Sequence, residues 1–401
     1  MWVAEMPHRA TAFGLYVQVP FCEAKCTYCN FPTGVAPRSL FDPYLEALCR
    51  EVREYPGLYR QAGIEGWDVA EPIEADTLYI GGGSPALLGP DRLGRLLEAL
   101  QQQFRLRIVE ATLEVDPQQV TAEAAQAWRR LGFNRISLGV QSLNDRELAS
   151  VGRRHRAHDV MVATERLRVA GFTNLSFDLI IGLPYQTEQS WEASLAGAIA
   201  LRPEHISVYL LEVDEHSRLG REVLTGGRRY SAQALPTEEA MAEWYERASY
   251  QLEEAGYRQY EISNWARPGF ASRHNLKYWL RIPYLGFGAG AHSFAGRQRW
   301  ANREDPRRYI ECIQSGRPAV QFVEQLGEME VLEEELLLGL RRTEGIDLAD
   351  LGRRYGDAVT RGLERLEQQG WLERWQGRLR IPSPRLTVAN EVLAEVLRTC
   401  A

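Results

Sequence analysis

The sequence predicts an α/β fold built around a parallel sheet, and three observations carry that reading. Short apolar strands alternate with amphipathic helices through the first half of the chain, six times in succession. The glycines, cysteines and acidic residues that break the pattern fall where those strands end. The composition is globular, with 45% hydrophobic and 25% charged residues over 401 positions, which rules out wholesale disorder. At about 150 residues per domain, this length allows two to three domains.

Residues 15–19 alternate in the manner of a strand. Asp42-Pro43 reads as a helix cap followed by proline at the first helical position, opening a helix to about Glu54. The second strand, 76–80, runs into Gly81-Gly82-Gly83 and a helix over about 90–104. Strands over 111–115, 135–140, 175–181 and 205–211 follow. Helical segments from 121, across 145–150 and 158–170, and from 187 separate them. Six such units fit an open doubly wound sheet or an incomplete β/α barrel, and periodicity does not separate the two. In both, chemistry gathers at the C-terminal ends of the strands. The cysteines after the first strand, the glycines after the second, Glu114 and Asp116 closing the third, and Gln141 after the fourth all lie there.

The second half changes character. A helix is expected over 237–255 and a strand over 257–262, followed by an aromatic and glycine-rich stretch, 263–296, with little regular periodicity. From about 328 come three helices and a two-stranded segment over 371–381, broken by Gln376-Gly377, an arrangement like a winged helix. That motif would suggest DNA. The 11 basic and 15 acidic residues of 321–401, and the net charge of −7 for the chain, oppose it. A packing module is expected, and no nucleic-acid partner. The expected division is a tail (1–13), a β/α unit (14–215), an α+β region (216–320) and the winged-helix-like module (321–401). No apolar run reaches 18 residues and no charged head precedes an apolar stretch, so a cytoplasmic protein is expected.

Cysteine is the informative part of the composition. Of six, Cys22, Cys26 and Cys29 fall within eight residues, while Cys49, Cys312 and Cys400 lie singly. Cys49, among helix-like residues, reads as a small buried apolar group. Soft thiolates suit zinc or iron–sulfur clusters. A structural zinc is four-coordinate and closed, yet no second C-x2-C pair or nearby histidine closes this set. Three thiolates on a four-iron cluster leave one iron open, a place for a ligand.

The run from Tyr16 through Cys22-Glu-Ala-Lys-Cys26-Thr-Tyr28-Cys29 resembles the cluster loop of radical S-adenosylmethionine (SAM) proteins. From about residue 14 to the tail, the chain resembles the coproporphyrinogen-oxidase-like branch of that superfamily. The resemblance implies an incomplete (β/α)6 TIM-like barrel and a [4Fe-4S] cluster on Cys22, Cys26 and Cys29. SAM would chelate the fourth iron through its amine and carboxylate, and cluster reduction would cleave it to a 5′-deoxyadenosyl radical. Gly82, Gly83 and Ser84 of the Gly-Gly-Gly-Ser-Pro loop are implied at the SAM amino group, with serine keeping the hydroxyl of the family's usual threonine. Glu114, Gln141, Arg153 and Asp178 are implied SAM ligands, Tyr16 a backing residue and Tyr28 a wall for the adenine. Glycines let a backbone approach closely. An acid inside an apolar strand, as at Asp178, calls for a partner such as ribose hydroxyls or an arginine.

Two features bear on the branch. Where the decarboxylating enzymes carry another cysteine, two residues after Cys29, this chain has Phe31, and only about 15 residues precede its first strand. His274-Asn275-Leu-Lys-Tyr278-Trp279 matches the His-Asn-x-x-Tyr-Trp signature of the HemW-type heme chaperones. A neutral imidazole is a common axial ligand of heme iron, and aromatics can stack on the macrocycle. His274 is therefore the expected heme ligand, with His292 in reserve and Arg273 and Lys277 as partners for the propionates. Two departures remain: Gln18 stands where relatives often have histidine, and Glu-Val-Asp-Pro is closer to the oxidase branch. The resemblance implies a chaperone that binds heme and passes it to acceptor hemoproteins, respiratory enzymes among them. Homodimerisation, peripheral membrane contact and a lack of coproporphyrinogen oxidase activity are further expectations. The alternative is a radical enzyme acting on a tetrapyrrole side chain.

Overall fold

Six parallel strands stand side by side in chain order in the computed structural model, which describes residues 12–66 and 72–400. They are β1 (Phe13–Val19), β2 (Glu74–Gly82), β3 (Arg105–Val115), β4 (Arg135–Gln141), β5 (Leu175–Ile181) and β6 (His205–Leu210). A doubly wound sheet reverses its strand order at a switch point; this one does not. The sequential order is that of an unclosed β/α barrel, which settles the alternative that periodicity left open. Leu15, Val17 and Val19 on β1, and Ile136, Leu138 and Val140 on β4, point away from the barrel interior into a fully or almost fully buried core. The expected tail over 1–13 lies almost wholly outside the described residues.

The region 216–320 extends this sheet instead of forming a separate layer. β7 (Arg258–Glu261) and β8 (Asn264–Ala266) join beyond β6, with β8 antiparallel to it. On the other side β9 (Tyr284–Phe287) lies parallel to β1. The antiparallel strands β10 (His292–Ala295), β11 (Gln298–Asn302) and β12 (Val320–Gln325) follow outward. The result is one 12-stranded sheet. The stretch 263–296, which showed little periodicity, thus holds three strands and the helix Arg273–Trp279; each element is too short for a pattern to repeat.

Two helix boundaries differ from expectation. The first helix runs from Phe41 to Gln61, through Pro56, instead of stopping near Glu54. A helix-interior proline costs about 3 kcal/mol. Burial of Tyr55, Leu58 and Tyr59, at roughly 1.5–3 kcal/mol each, exceeds that cost. Asp42 is not the cap either: it sits within the first turn and accepts from Arg92 Nε at 2.7 Å and Nη2 at 2.8 Å. At the far end, helices Glu328–Arg341, Leu348–Tyr355 and Asp357–Gln368 lead to a hairpin of Glu373–Trp375 and Arg378–Arg380. Its turn residues Gln376 and Gly377 have φ of 48° and 80°, the two left-handed positions that a tight two-residue hairpin requires.

Candidate functional site

The three cysteines sit on a loop closed at its neck and tethered on both flanks. Cys22 ends the two-residue strand Phe21–Cys22, which pairs in parallel with Gly34–Val35. The Thr27 N–H donates to Val151 O at 3.0 Å, the Leu219 N–H to Thr27 O at 2.8 Å, and Asn30 Nδ2 to Asp214 Oδ2 at 2.9 Å. The thiols of Cys22, Cys26 and Cys29 are half-buried and line a cavity of about 590 Å³ at the C-terminal mouth of the barrel. That is within the usual size of ligand pockets, about 300–1,000 Å³. Burial pushes the Cys22 thiol up to about 11, a thiol that needs a metal to be a thiolate at neutral pH. Among the described residues no three His, Cys, Asp or Glu side chains converge on a single ion. Three soft thiol donors on one loop suit an iron–sulfur cluster held at three corners, with the fourth left to a ligand. The donor set fits a cluster.

Opposite the thiols, the strand ends supply glycines and buried charge. Gly82, at φ 104°, lies so close to Gln18 that a Cβ would fall 2.4 Å from its Oε1, and a Cβ on Gly83 would fall 2.5 Å from Phe21 O. The glycine run is thus what lets β2 press against the cluster-bearing loop. The Gly82 N–H donates to Glu114 Oε2 at 2.8 Å and the Tyr79 hydroxyl to Glu114 Oε1 at 2.7 Å. Burial nevertheless pushes the Glu114 carboxyl up to about 7, so it is poised to ionise when a cation arrives. Asp178 is likewise pushed up by burial; Ser137 Oγ donates to it at 3.1 Å, and Arg135 is a nearby positive charge. The partner expected for this strand acid is therefore in part the protein's own.

Asp116 is the residue that sequence reasoning placed at the strand end without a role. It accepts from Ser84 Oγ at 2.6 Å and pairs with Arg153 Nη2 at 2.5 Å. Arg153 also donates to Gly139 O at 2.7 Å and reaches Cys26 Sγ at 3.7 Å. Asp116 therefore ties the serine of the glycine loop to the arginine beside the thiols. Gly139 is needed there: a Cβ would lie 3.0 Å from Arg153 Nη2. Gln141 faces the cavity in the left-handed region, φ 64°, strain of the kind that collects at binding sites. Tyr28 lines the cavity beside Ile180, while Tyr16 does not reach it; the Tyr16 hydroxyl bonds to Gln18 behind the wall.

The structure places His274, the expected heme ligand, away from the cavity. The residue is fully buried, with Nδ1 on Thr77 Oγ1 at 2.9 Å and Nε2 on the Tyr278 hydroxyl at 2.8 Å. Neither ring nitrogen is free for iron. The imidazole packs against Tyr79 and Tyr16, with ring centroids 5.3 and 6.4 Å apart, inside the barrel below the cavity. Burial holds its pKa down at about 3, so it is neutral. Lys277 does not face a ligand either: it is buried and pairs with Asp76 Oδ1 at 2.7 Å. Glu110, which no sequence pattern singled out, fixes this helix by accepting from the N–H groups of Arg273 and His274 at 3.0 and 2.9 Å. Arg273 and the reserve residue His292 are exposed.

Residues 16–196 match the family model of the radical SAM superfamily, and 327–384 match that of the HemN C-terminal domain. Fold and site together define a radical SAM protein, whose resident groups are a [4Fe-4S] cluster and SAM. The chain is 35% identical over 346 residues to the heme chaperone HemW of Bacillus subtilis, covering 86% of this chain and 87% of that one. The HemW of Mycobacterium tuberculosis (strain H37Rv) is 35% identical over 361 residues, covering 87% and 86%. The bovine mitochondrial radical S-adenosyl methionine domain-containing protein 1 is 32% identical over 387 residues, covering 90% and 84%. The chain belongs to the HemW heme chaperone family. Its fold is shared with the solved structure of coproporphyrinogen III oxidase (HemN) from Escherichia coli, at TM-score 0.80 and 21% identity over 96% of this chain and 90% of that one. Among the described residues no helix is long and apolar enough to cross a membrane.

Proposed function

We propose that this chain is a heme chaperone that binds heme and passes it to acceptor hemoproteins, with a cluster on Cys22, Cys26 and Cys29 and SAM in the adjoining cavity. The observation that carries this reading is the 35% identity to HemW over 86% of the chain. Phe31, exposed where the decarboxylating branch has a further cysteine, supports it. When bound, the cluster would supply one-electron reduction and an open iron for the amine and carboxylate of SAM, whose sulfonium is the group that accepts the electron.

The residues then divide the work of holding SAM. The Gly82-Gly83 backbone and Ser84 meet the amino group, and Glu114 accepts from it as the ionised carboxylate. Asp178 and Ser137 offer acceptors and a donor to the ribose hydroxyls, Gln141 presents its amide, and Tyr28 walls the adenine. Arg153 pairs with Asp116 and sets a guanidinium beside the Cys26 sulfur. Tyr16 backs the wall through Gln18. The acceptors are respiratory enzymes, reached by peripheral contact with the membrane, and SAM loading governs a homodimer.

The test sets transfer against catalysis. Anaerobically reconstituted protein is loaded with heme and mixed with an apo-hemoprotein, and separately incubated with coproporphyrinogen III, SAM and a reductant. Heme uptake and transfer without decarboxylation is the expected result. Conversion to protoporphyrinogen IX with SAM consumption would replace this reading with the oxidase one.

A further inference from the structure

The inner face of the sheet, which carries Tyr16 and Tyr79, continues past β1 to the open edge. Register places Gly286 opposite Tyr16, Phe294 opposite Tyr284, Ala301 opposite His292 and Phe322 opposite Ala301. Because side chains alternate along a strand, Tyr284, Phe294, His292 and Phe322 share that face. The inner part is closed: Tyr284 and Phe294 are buried, with Tyr278 packed edge-on against Tyr284 at 4.6 Å. The outer part is open. His292 is exposed, its ring makes no hydrogen bond among the described residues, and it meets Phe322 edge-on at 5.9 Å across the small Ala301.

We infer that heme docks on this outer end, with His292 as its iron ligand. The inference rests on the heme-carrying reading above and replaces the buried His274 as the ligand. Three observations support it. An iron ligand needs a ring nitrogen with a free lone pair and an approach path, and of these two histidines only His292 has both. A macrocycle held by an imidazole lies perpendicular to the imidazole plane, and the Phe322 ring, inclined at 65° to His292, is turned toward that orientation. Phe322 is 44% exposed and Phe31, on the cluster loop, 62%. The loop reaches this edge: a Cβ on Gly290, two residues from His292, would lie 3.0 Å from the Pro32 ring. An exposed phenylalanine beside an imidazole with no hydrogen-bond partner among the described residues suits a flat apolar ligand. The seat borders the cluster loop, so cluster and heme would sense each other through residues 29–32.

Ferric heme is titrated into the reconstituted full-length protein and into His292→Ala, His274→Gln and Phe322→Ala, with optical and low-temperature EPR spectra recorded. Far-UV circular dichroism and the cluster absorbance confirm that each variant is folded. His292→Ala is expected to lose the histidine-ligated spectrum and to bind heme about tenfold more weakly or worse. His274→Gln, which keeps a hydrogen-bonding side chain, should retain it. In His292→Gly, added imidazole should restore the spectrum. A wild-type spectrum in His292→Ala, or its loss in folded His274→Gln alone, overturns the assignment while the carrier function stands. Wild-type protein that takes up no heme overturns the carrier reading itself.

Discussion

Two layers of buried polar residues lie inside the same barrel, one above the other, and they are built differently. The lower layer holds Thr77, Glu110, His205, His274 and Lys277, and the protein supplies its partners. His274 has Thr77 and Tyr278, His205 has Ser176 and Tyr260, Glu110 has the helix N–H groups, and Lys277 has Asp76. The upper layer holds Glu114, Asp116, Arg153 and Asp178, and it opens onto the cavity. There burial holds Glu114 and Asp178 above the ordinary carboxylate range. Complete partner sets belong to architecture, whereas incomplete ones facing a cavity mark a ligand site. The His-Asn-x-x-Tyr-Trp motif looks functional in sequence, yet its histidine belongs to the architectural layer.

The largest effect that separates the layers comes from the thiols. Cys22→Ala, Cys26→Ala or Cys29→Ala should reduce bound iron and sulfide to background while thermal unfolding changes little. The loop's neck and tethers include backbone bonds that these changes leave intact. Metal analysis beside a melting curve checks this. Next comes Arg153→Ala, which strands Asp116 in a mostly buried site. Breaking such a pair costs about 3–5 kcal/mol, readable by urea unfolding, and Asp116→Asn in the same background should recover part of it.

The upper layer was largely legible because its signals are local. Three cysteines within eight residues, a glycine run and acids at strand ends are visible as strings, and five of the six strands were placed within two residues at each end. The third was the partial one, extending back to Arg105 through residues that alternate between exposed and partly covered. The lower layer was illegible because its contacts join residues far apart in the chain. Nothing near Glu110 says that it will cap a helix more than 160 positions later, and nothing near Thr77 says that it will bond His274. Of the sheet extensions only β7 was expected, over 257–262; β8 to β11 were missed because strands of three to five residues are held by register with neighbours, not by their own periodicity.

His274→Ala sharpens the contrast from below. Removing the ring leaves Thr77 and Tyr278 without partners and a cavity behind, at about 2–4 kcal/mol. It should depress the melting temperature with little change in SAM affinity when measured on the folded fraction. Glu114 gives the opposite pattern, an effect on binding with a defined pH dependence. Its carboxyl is raised to about 7, and only the ionised form both accepts fully from the iron-bound amine and offsets the positive charge of the sulfonium. SAM should therefore bind about tenfold more weakly at pH 6 than at pH 8, a difference of about 1.4 kcal/mol, and Glu114→Gln should flatten that profile. The same raised pKa makes Glu114 oppose folding increasingly as pH rises from the unfolded value through 7. The smallest effect belongs to Cys49, a buried thiol whose Sγ lies 3.9 Å from Arg95 O. Cys49→Ala should cost about 1 kcal/mol and leave the iron content unchanged.

The open iron corner is tested most directly by EPR of the reduced, reconstituted protein before and after SAM is added. A shift of the cluster's g-values on addition, weakened in Glu114→Gln and absent without the three cysteines, is the predicted result. A spectrum that stays unchanged at saturating SAM would contradict a SAM-binding cluster in this cavity.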